Sequence, residues 1–489
     1  MGIGRERDAN IINKGSGYMA KVAIIGAGSI VFCKTLLNDM FSTPALAGSI
    51  YALMGPSMWK LEKMKTYAQQ IIDKNKIDAT VYCTTDRRDA LTGADYVILT
   101  FMIGGVDAYK FDYEIPMKYG VDQCVGDSLG PGGVFRCLRT GPVLMDIGKD
   151  VSRLCPDAYV LNYVNPMGAV CTMANRAANM KMVGLCHGVQ TTLDLIAGYT
   201  DVNKYEIDYL CAGINHMAWF LKLEKDGKNL YPLLRKNIEK PEYYKNEKVR
   251  GEVMRHCGYI MTESTGHLSE YLPWFRKNRA SLNRYCDEPA LGGETGTAYK
   301  FSLMVNERFA KTDVLSIESG ELEPRSVEYC SYIIEALETG VPFRFNGNVR
   351  NDGFIKNLPF EATVEVPVYA DREGLHPFTV GLLPSHLAAM NQTNIIVQGL
   401  AADAAIHGDP EAVFWAVAMD PLTSAVLTLK ETRDMVSEMM EAEAKWLPQF
   451  EGKNLKKLDH ISVSEGIVPV PVPVDPALAI NVRFEKLIE

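Results

Sequence analysis

The chain has 489 residues, 47% hydrophobic and 23% charged, a globular composition and a length that suits two interlocked domains with sizeable cores. A net charge of −9 supplies no basic stripe for phosphates, which argues against nucleic acid and for a small-molecule ligand. Eleven cysteines without a Cys-x-x-Cys pair suggest neither a disulfide framework nor structural zinc. With no apolar run of about 18 residues, neither a membrane span nor a signal peptide is expected, and the cytoplasm is the expected location.

Residues 1–18 are polar and aperiodic and read as a loose extension or tag remnant. From Ala20 to about Leu195, short apolar runs alternate with helical patterns. Val22–Ile25, Ile50–Met54, Thr80–Thr84, Tyr96–Phe101, Tyr159–Tyr163 and Met182–Leu185 read as strands. Phe32–Phe41, Met58–Lys74 and Gly141–Leu154 carry apolar residues near a period of 3.6 and read as helices. The alternation predicts an α/β, Rossmann-type, doubly wound parallel sheet over residues 19–200.

After about Asp201 the pattern changes. Trp219–Leu223 and Leu230–Leu233 flank an Asp226-Gly227 turn and predict a hairpin. Helical stretches at Glu247–Met261, Pro324–Thr339 and Ser385–His407, with a strand at Ala362–Val368, predict a mixed α+β domain over residues 201–489. Its Val468-Pro-Val-Pro-Val-Pro-Val474 run predicts an extended polyproline-type arm, either a solvated tail or a contact with a neighbouring subunit.

Gly26, Ala27, Gly28 and Ser29 stand between the first strand and the first helix, where small residues let backbone N–H groups approach a pyrophosphate. The fingerprint is irregular. Val31 replaces the third glycine, and the second strand runs Ala52-Leu53-Met54 into Gly55-Pro56, without the acidic residue that binds the adenosine ribose. The ribose is then held otherwise, or NADP is accepted, or affinity is low.

Ligands of such a sheet bind beyond the carboxyl ends of the strands. Those ends carry Met102-Ile103-Gly104-Gly105, Asn162-Tyr-Val-Asn165-Pro166 and Cys186-His187-Gly188-Val189. Asn165 reads either as a helix cap or as a ligand contact. Cys186 and the His216 of Ala212-Gly-Ile-Asn-His-Met217 suit a divalent transition metal if substrate hydroxyls complete the shell. The loop Gly126–Gly133, leading to Arg136, Arg139 and Thr140, reads as an active-site crossover, with Asp127 either a turn carboxylate or a catalytic one.

Together these segments, with Leu138-Arg-Thr140, Thr262-Glu-Ser264, Glu270-Tyr-Leu-Pro-Trp-Phe275, Gly347-Asn-Val-Arg-Asn-Asp-Gly353 and Leu383-Pro-Ser-His386, resemble glycoside hydrolase family four, and within it the bacterial α-galactosidases. The resemblance implies a fold related to lactate and malate dehydrogenases, NAD and Mn2+ as cofactors, and a homodimer or homotetramer. The implied reaction is hydrolysis of a small α-linked galactoside by oxidation at C3, loss of the C2 proton, elimination at C1, hydration and return of the hydride, an exception to the usual pair of carboxylates.

The resemblance places NAD on Gly26, Ala27, Gly28, Ser29, Ile103, Gly104 and Asn165, and the sugar on Asn165, Arg350 and Asn351. Cys186 and His216 would hold the metal, Tyr271 would be the C2 base, and His187 or Asp127 would protonate the leaving group. The local Cys-His-Gly-Val signature instead resembles the α-glucuronidase group, because Gly188 leaves room for a larger C5 substituent. An α-glucuronidase, α-galacturonidase or broad α-glycosidase is therefore the alternative. Readings of another class are a dehydrogenase or a non-catalytic NAD-sensing protein.

Overall fold

The computed structural model describes residues 19–28, 30–178, 180–311, 320–459 and 461–468, with residues 470 and 484. The expected extension at residues 1–18, Ser29 and most of the valine-proline run lie outside the described residues.

Six strands, β1 (Lys21–Ile25), β2 (Ile50–Met54), β3 (Thr80–Thr84), β4 (Tyr96–Leu99), β5 (Tyr159–Asn162) and β6 (Lys181–Leu185), pair in parallel in the order β3-β2-β1-β4-β5-β6. This is the doubly wound order expected of a dinucleotide-binding sheet. Helices cover both faces, so the strands read as continuous apolar runs, and Val22, Ile24, Leu53, Ile98 and Leu161 are fully buried. Helix Met58–Asn75 buries Leu61, Met64, Tyr67, Ala68, Ile71 and Ile72, one stripe at helical spacing.

The remaining strands join the same sheet. β7 (Asp208–Ile214) and β8 (Met217–Lys225) form a hairpin turned at Asn215-His216, and β9 (Lys228–Asn229) pairs with the end of β8. β10 (Phe343–Arg350) runs antiparallel to β6, β11 (Thr363–Asp371) antiparallel to β10 and β7, and β12 (Gly374–Pro377) antiparallel to β11.

The Asp226-Gly227 hairpin differs from the expectation in its second arm. Leu230–Leu233 is not a strand; it leads into helix Tyr231–Ile238, because a proline in the first turn is preset for a helix. Tyr231, Leu234 and Ile238 then bury one helical face. The helix expected over Glu247–Met261 is shorter, Arg250–Cys257, ended by Gly258 at φ +88°. Residues as far as Leu455 make one compact unit, and Lys456 onward a second. Among the described residues no helix is long and apolar enough to cross a membrane.

Candidate active site and metal centre

The carboxyl ends of β4, β5 and β6 open into a cavity of about 510 Å³ lined by Thr100, Met102, Asp127, Arg136, Asn165, Cys186, His187, His216, Glu263 and His267, among others. The glycine turn after β1 abuts the end of β4. Gly26 has φ +103°, and a Cβ there would lie 2.7 Å from the carbonyl carbon of Thr100, so only glycine fits. The amides of Gly26 and Ala27 both donate to the Met54 carbonyl, at 2.8 and 3.0 Å. These two residues therefore shape the turn, which presents Gly28 as a close-approach cradle of the kind a pyrophosphate requires. Gly104, at φ +80°, opens helix Gly105–Lys118, and the Ile103 carbonyl accepts from Arg139 Nε at 3.3 Å.

Three side chains form the candidate metal centre. Cys186 Sγ, a ring nitrogen of His216 and a carboxylate oxygen of Glu263 all lie within 4.8 Å of one another. Cys186 follows β6, His216 sits in the β7–β8 turn, and Glu263 follows the Trp219–Met261 bridge. Thr262 pins that segment to β8, its N donating to Ala218 O at 2.8 Å and its Oγ accepting from Ala218 N at 3.1 Å. His216 and Glu263 hold φ of +63° and +82°, left-handed values that non-glycine residues rarely adopt and that cluster at functional sites.

The charges within the cluster suit a cation. Burial lowers His216 to about 4, leaving the neutral imidazole that a metal requires. Burial acts to raise Glu263, but His216 and His267 overcome it and hold its carboxyl well below the ordinary range. Cys186 is pushed up by burial, with Glu365 and Glu263 adding to the effect, so binding would require loss of its proton. A thiolate, an imidazole and a carboxylate, with positions left for substrate oxygen, fit a divalent transition metal.

Around this centre, Asp127 accepts from Ser128 Oγ at 2.7 Å and Asn165 Nδ2 at 3.0 Å, and lies 3.5 Å from Arg136. Burial acts to raise Asp127, but Arg136 and then His267 outweigh it and lower it below its ordinary value. The lowered carboxyl suits Asp127 to accept hydrogen bonds from Ser128 and Asn165. Asn165 does not cap the following helix; its amide turns to Asp127. His187 Nδ1 lies 3.1 Å from Glu328, whose hydrogen bond raises the imidazole above its ordinary value. The Tyr271 hydroxyl lies 2.9 Å from His216 Nδ1, and burial pushes this phenol far up.

Arg350 and Asn351 stand elsewhere. Gly347 and Asn348 of β10 pair with Leu185 and Gly184 of antiparallel β6, so residues 350 and 351 run toward the opposite end of β6 from Cys186. Arg350 pairs with Glu361 and Asp352, and Asn351 is buried within its own loop.

Glu263 and His267 are functional candidates that sequence reasoning missed. Their i, i+4 spacing was the available signal: His267 Nδ1 lies 3.6 Å from Glu263 and Nε2 lies 3.9 Å from Asp127. Burial opposes it, but Glu263 raises His267 to about 9. His267 Nε2 and Arg136 Nε are buried without a hydrogen-bond partner among the described residues.

The family model for family 4 glycosyl hydrolases matches residues 21–202, and that for their C-terminal domain matches residues 211–423. An α-galactosidase of Rhizobium meliloti is 41% identical over 438 residues, 88% of this chain and 89% of the relative. One from Bacillus subtilis is 39% identical over 437 residues, 88% of this chain and 100% of the relative. Among solved structures, a 6-phospho-β-glucosidase from Thermotoga maritima, determined with manganese, NAD+ and glucose 6-phosphate, superposes with a TM-score of 0.70 at 19% identity, over 87% of this chain and 99% of that one. With both halves matched, and relatives near 40% identity aligned over most of their length, the chain belongs to family 4 of the glycosyl hydrolases.

Proposed function

We propose that this chain is a redox-neutral α-galactosidase that uses a nicotinamide dinucleotide and a divalent metal ion. The observation that carries the reading is the Cys186, His216 and Glu263 cluster, within one cavity with His187 and the carboxyl ends of β4 to β6. The α-galactosidases near 40% identity support the substrate class, and the solved relative with manganese and NAD+ supports the cofactors.

Bound, the dinucleotide supplies a hydride acceptor and donor, and the metal supplies a Lewis acid. Cys186, His216 and Glu263 would hold the metal. Asn165 and the Asp127 carboxylate orient sugar hydroxyls, and Arg136 Nε and His267 Nε2 donate into the same space. Tyr271, whose hydroxyl lies 2.9 Å from His216 Nδ1, would take the C2 proton; burial pushes its phenol up, and a cation held by His216 would bring it back down. His187, raised above its ordinary value by its hydrogen bond to Glu328, gives a proton to the departing oxygen. The unpaired cysteines support a cytoplasmic location, and the reading includes a homodimer or homotetramer.

A second reading, hydrolysis of an α-linked uronide, is favoured by Gly188. A Cβ there would lie 3.5 Å from Cys186 Sγ and 3.6 Å from Glu263 Oε2, so glycine widens the cavity beside the metal cluster and leaves space for a C5 carboxylate.

The test offers nitrophenyl α-galactoside and α-glucuronide, with Mn2+, coenzyme and thiol, in D2O. The expected result is fastest turnover of the galactoside, deuterium at C2 of the released sugar and no accumulation of reduced coenzyme. Faster turnover of the glucuronide would select the second reading. Stoichiometric reduced coenzyme would make the chain a dehydrogenase instead.

A further inference from the structure

We infer that Glu328 is a positioning residue, which holds the His187 ring by Nδ1 so that Nε2 faces the oxygen leaving C1. That role rests on the reading of His187 as the group that protonates this oxygen. Glu328 Oε1 lies 3.1 Å from His187 Nδ1. The two nitrogens of an imidazole occupy opposite edges of the ring, so a carboxylate on Nδ1 fixes both the proton there and the direction of Nε2. His187 lines the cavity with Cys186 and Asn165, and its side chain is 53% exposed, so the edge away from Glu328 is the one a sugar oxygen can reach.

Stability does not call for this pair. The Glu328 side chain is only 10% exposed, and withdrawing a carboxylate from water to meet a half-exposed imidazole contributes little to a fold.

The segment that carries Glu328 is itself fixed to helix Ile30–Phe41, which follows the glycine turn. Asn38 Oδ1 accepts from Glu323 N at 2.9 Å, and Asn38 Nδ2 donates to the Glu323 carbonyl at 3.1 Å. The buried Asp39 accepts from Ser326 N at 2.8 Å and from Ser326 Oγ at 2.5 Å. Ser326 Oγ in turn accepts from Glu328 N at 3.1 Å, and Cys330 N donates at 3.3 Å to the hydroxyl of Tyr163 in the cavity wall. Arg325 holds the other side, donating to Glu335 at 2.6 Å with its guanidinium 3.5 Å from the centre of the Tyr332 ring. Glu328 therefore reaches His187 from a fixed backbone, as a group that orients another must.

In the elimination, the electron pair left at C2 forms the C1–C2 double bond and the C1–O pair passes to the departing oxygen. That oxygen takes the Nε2 proton, and the ring becomes a neutral imidazole with its Nδ1 proton still on Glu328. A nitrophenoxide leaves without such a proton, whereas an alkoxide needs one.

Turnover of methyl and nitrophenyl α-galactoside by the full chain, with Mn2+, NAD+ and thiol in D2O, tests the role. Glu328→Ala is expected to lose at least about tenfold more kcat on the methyl than on the nitrophenyl galactoside. Recovered methyl galactoside is expected to carry deuterium at C2, because a slowed departure lets the loss of the C2 proton reverse. Glu328→Gln keeps an acceptor oxygen in place and is expected to recover most of the difference. Ser326→Ala frees the Glu328 backbone, leaves its carboxylate, and is expected to give the same difference on a smaller scale. Equal losses on the two substrates in Glu328→Ala, or in Ser326→Ala if the first variant does not fold, overturn the inference. His187→Ala separates it from the reading beneath: equal losses there remove His187 as the acid and Glu328 with it. A difference seen in His187→Ala but absent from Glu328→Ala overturns the role of Glu328 alone.

Discussion

Glu263 and His216 reach the cluster through backbone conformations that cost about 1–3 kcal/mol each in an L residue. The surrounding structure enforces them: Thr262 is clamped to Ala218 on both its N and its Oγ, and His216 occupies the tight end of the β7–β8 hairpin. Such strain is maintained where a side chain must point one way. If Glu263 is the third ligand, Glu263→Gln keeps the shape and removes the charge. The expected outcome is Mn2+ binding weakened by roughly ten- to hundredfold in a metal titration. Unchanged affinity would remove Glu263 from the shell and leave Cys186 and His216 alone.

Two elements show polar side chains organising backbone. In the loop between β10 and β11, Asn351 Nδ2 donates to the carbonyls of Ile355, Leu358 and Pro359 at 3.0, 3.2 and 3.1 Å, and its Oδ1 accepts from Ile355 N at 3.0 Å. Because the side chain is buried, Asn351→Ala strands these groups and is expected to destabilise the fold by about 2–4 kcal/mol. Activity measured below the melting transition should stay within about twofold, whereas a substrate-binding role would show as a large rise in KM.

At the start of helix Gly130–Leu154, Asp420 accepts from Gly130 N at 3.1 Å, and it caps helix Pro421–Val426 by accepting from Thr423 N at 2.8 Å. Burial raises its carboxyl from 3.8 to about 6. A folded value above the unfolded one means that the folded chain holds the proton more tightly. This contribution to stability is therefore fully present below about pH 3.8 and is lost as the pH rises through about 6. Asp420→Asn removes the titration, so the variant's deficit in melting temperature is expected to be larger near about pH 4.5 than near about pH 7.5. Equal deficits would show that the carboxyl titrates normally.

On the scale of the whole molecule, helix Gly130–Leu154 acts as a spine. Its buried Arg139 donates to both oxygens of Asp112, to Glu443 of helix Leu429–Glu443, and to the Ile103 carbonyl after β4. The loop behind β4 is thereby tied to a helix about 300 positions away in sequence. The first six strands were readable along the chain because a parallel sheet covered on both faces demands uninterrupted apolar runs. The glycine turn and the Cys186-His187 pair were readable because strand ends in such a sheet are ligand positions.

Long-range pairing was not readable in the same way. β10 and β11 enter the sheet beside β6, more than 150 positions away, and the register of that junction sends Arg350 and Asn351 away from Cys186. One-residue registers of this kind are set by the facing strand and carry no local signature. Glu263 likewise could not be told from the 59 other acidic residues by type alone, since the bridge between Met261 and Trp219 brings it to His216. The sequence by itself determined the nucleotide-type sheet, its glycine turn, the cysteine and histidine of the candidate metal cluster and the lack of a carboxylate after β2, because each depends on local pattern and position at a strand end. Only the tertiary structure brought Glu263 to Cys186 and His216, set Asp127 beside Arg136 and His267, and folded Asn351 into its own loop, because each depends on which distant side chains burial forces together.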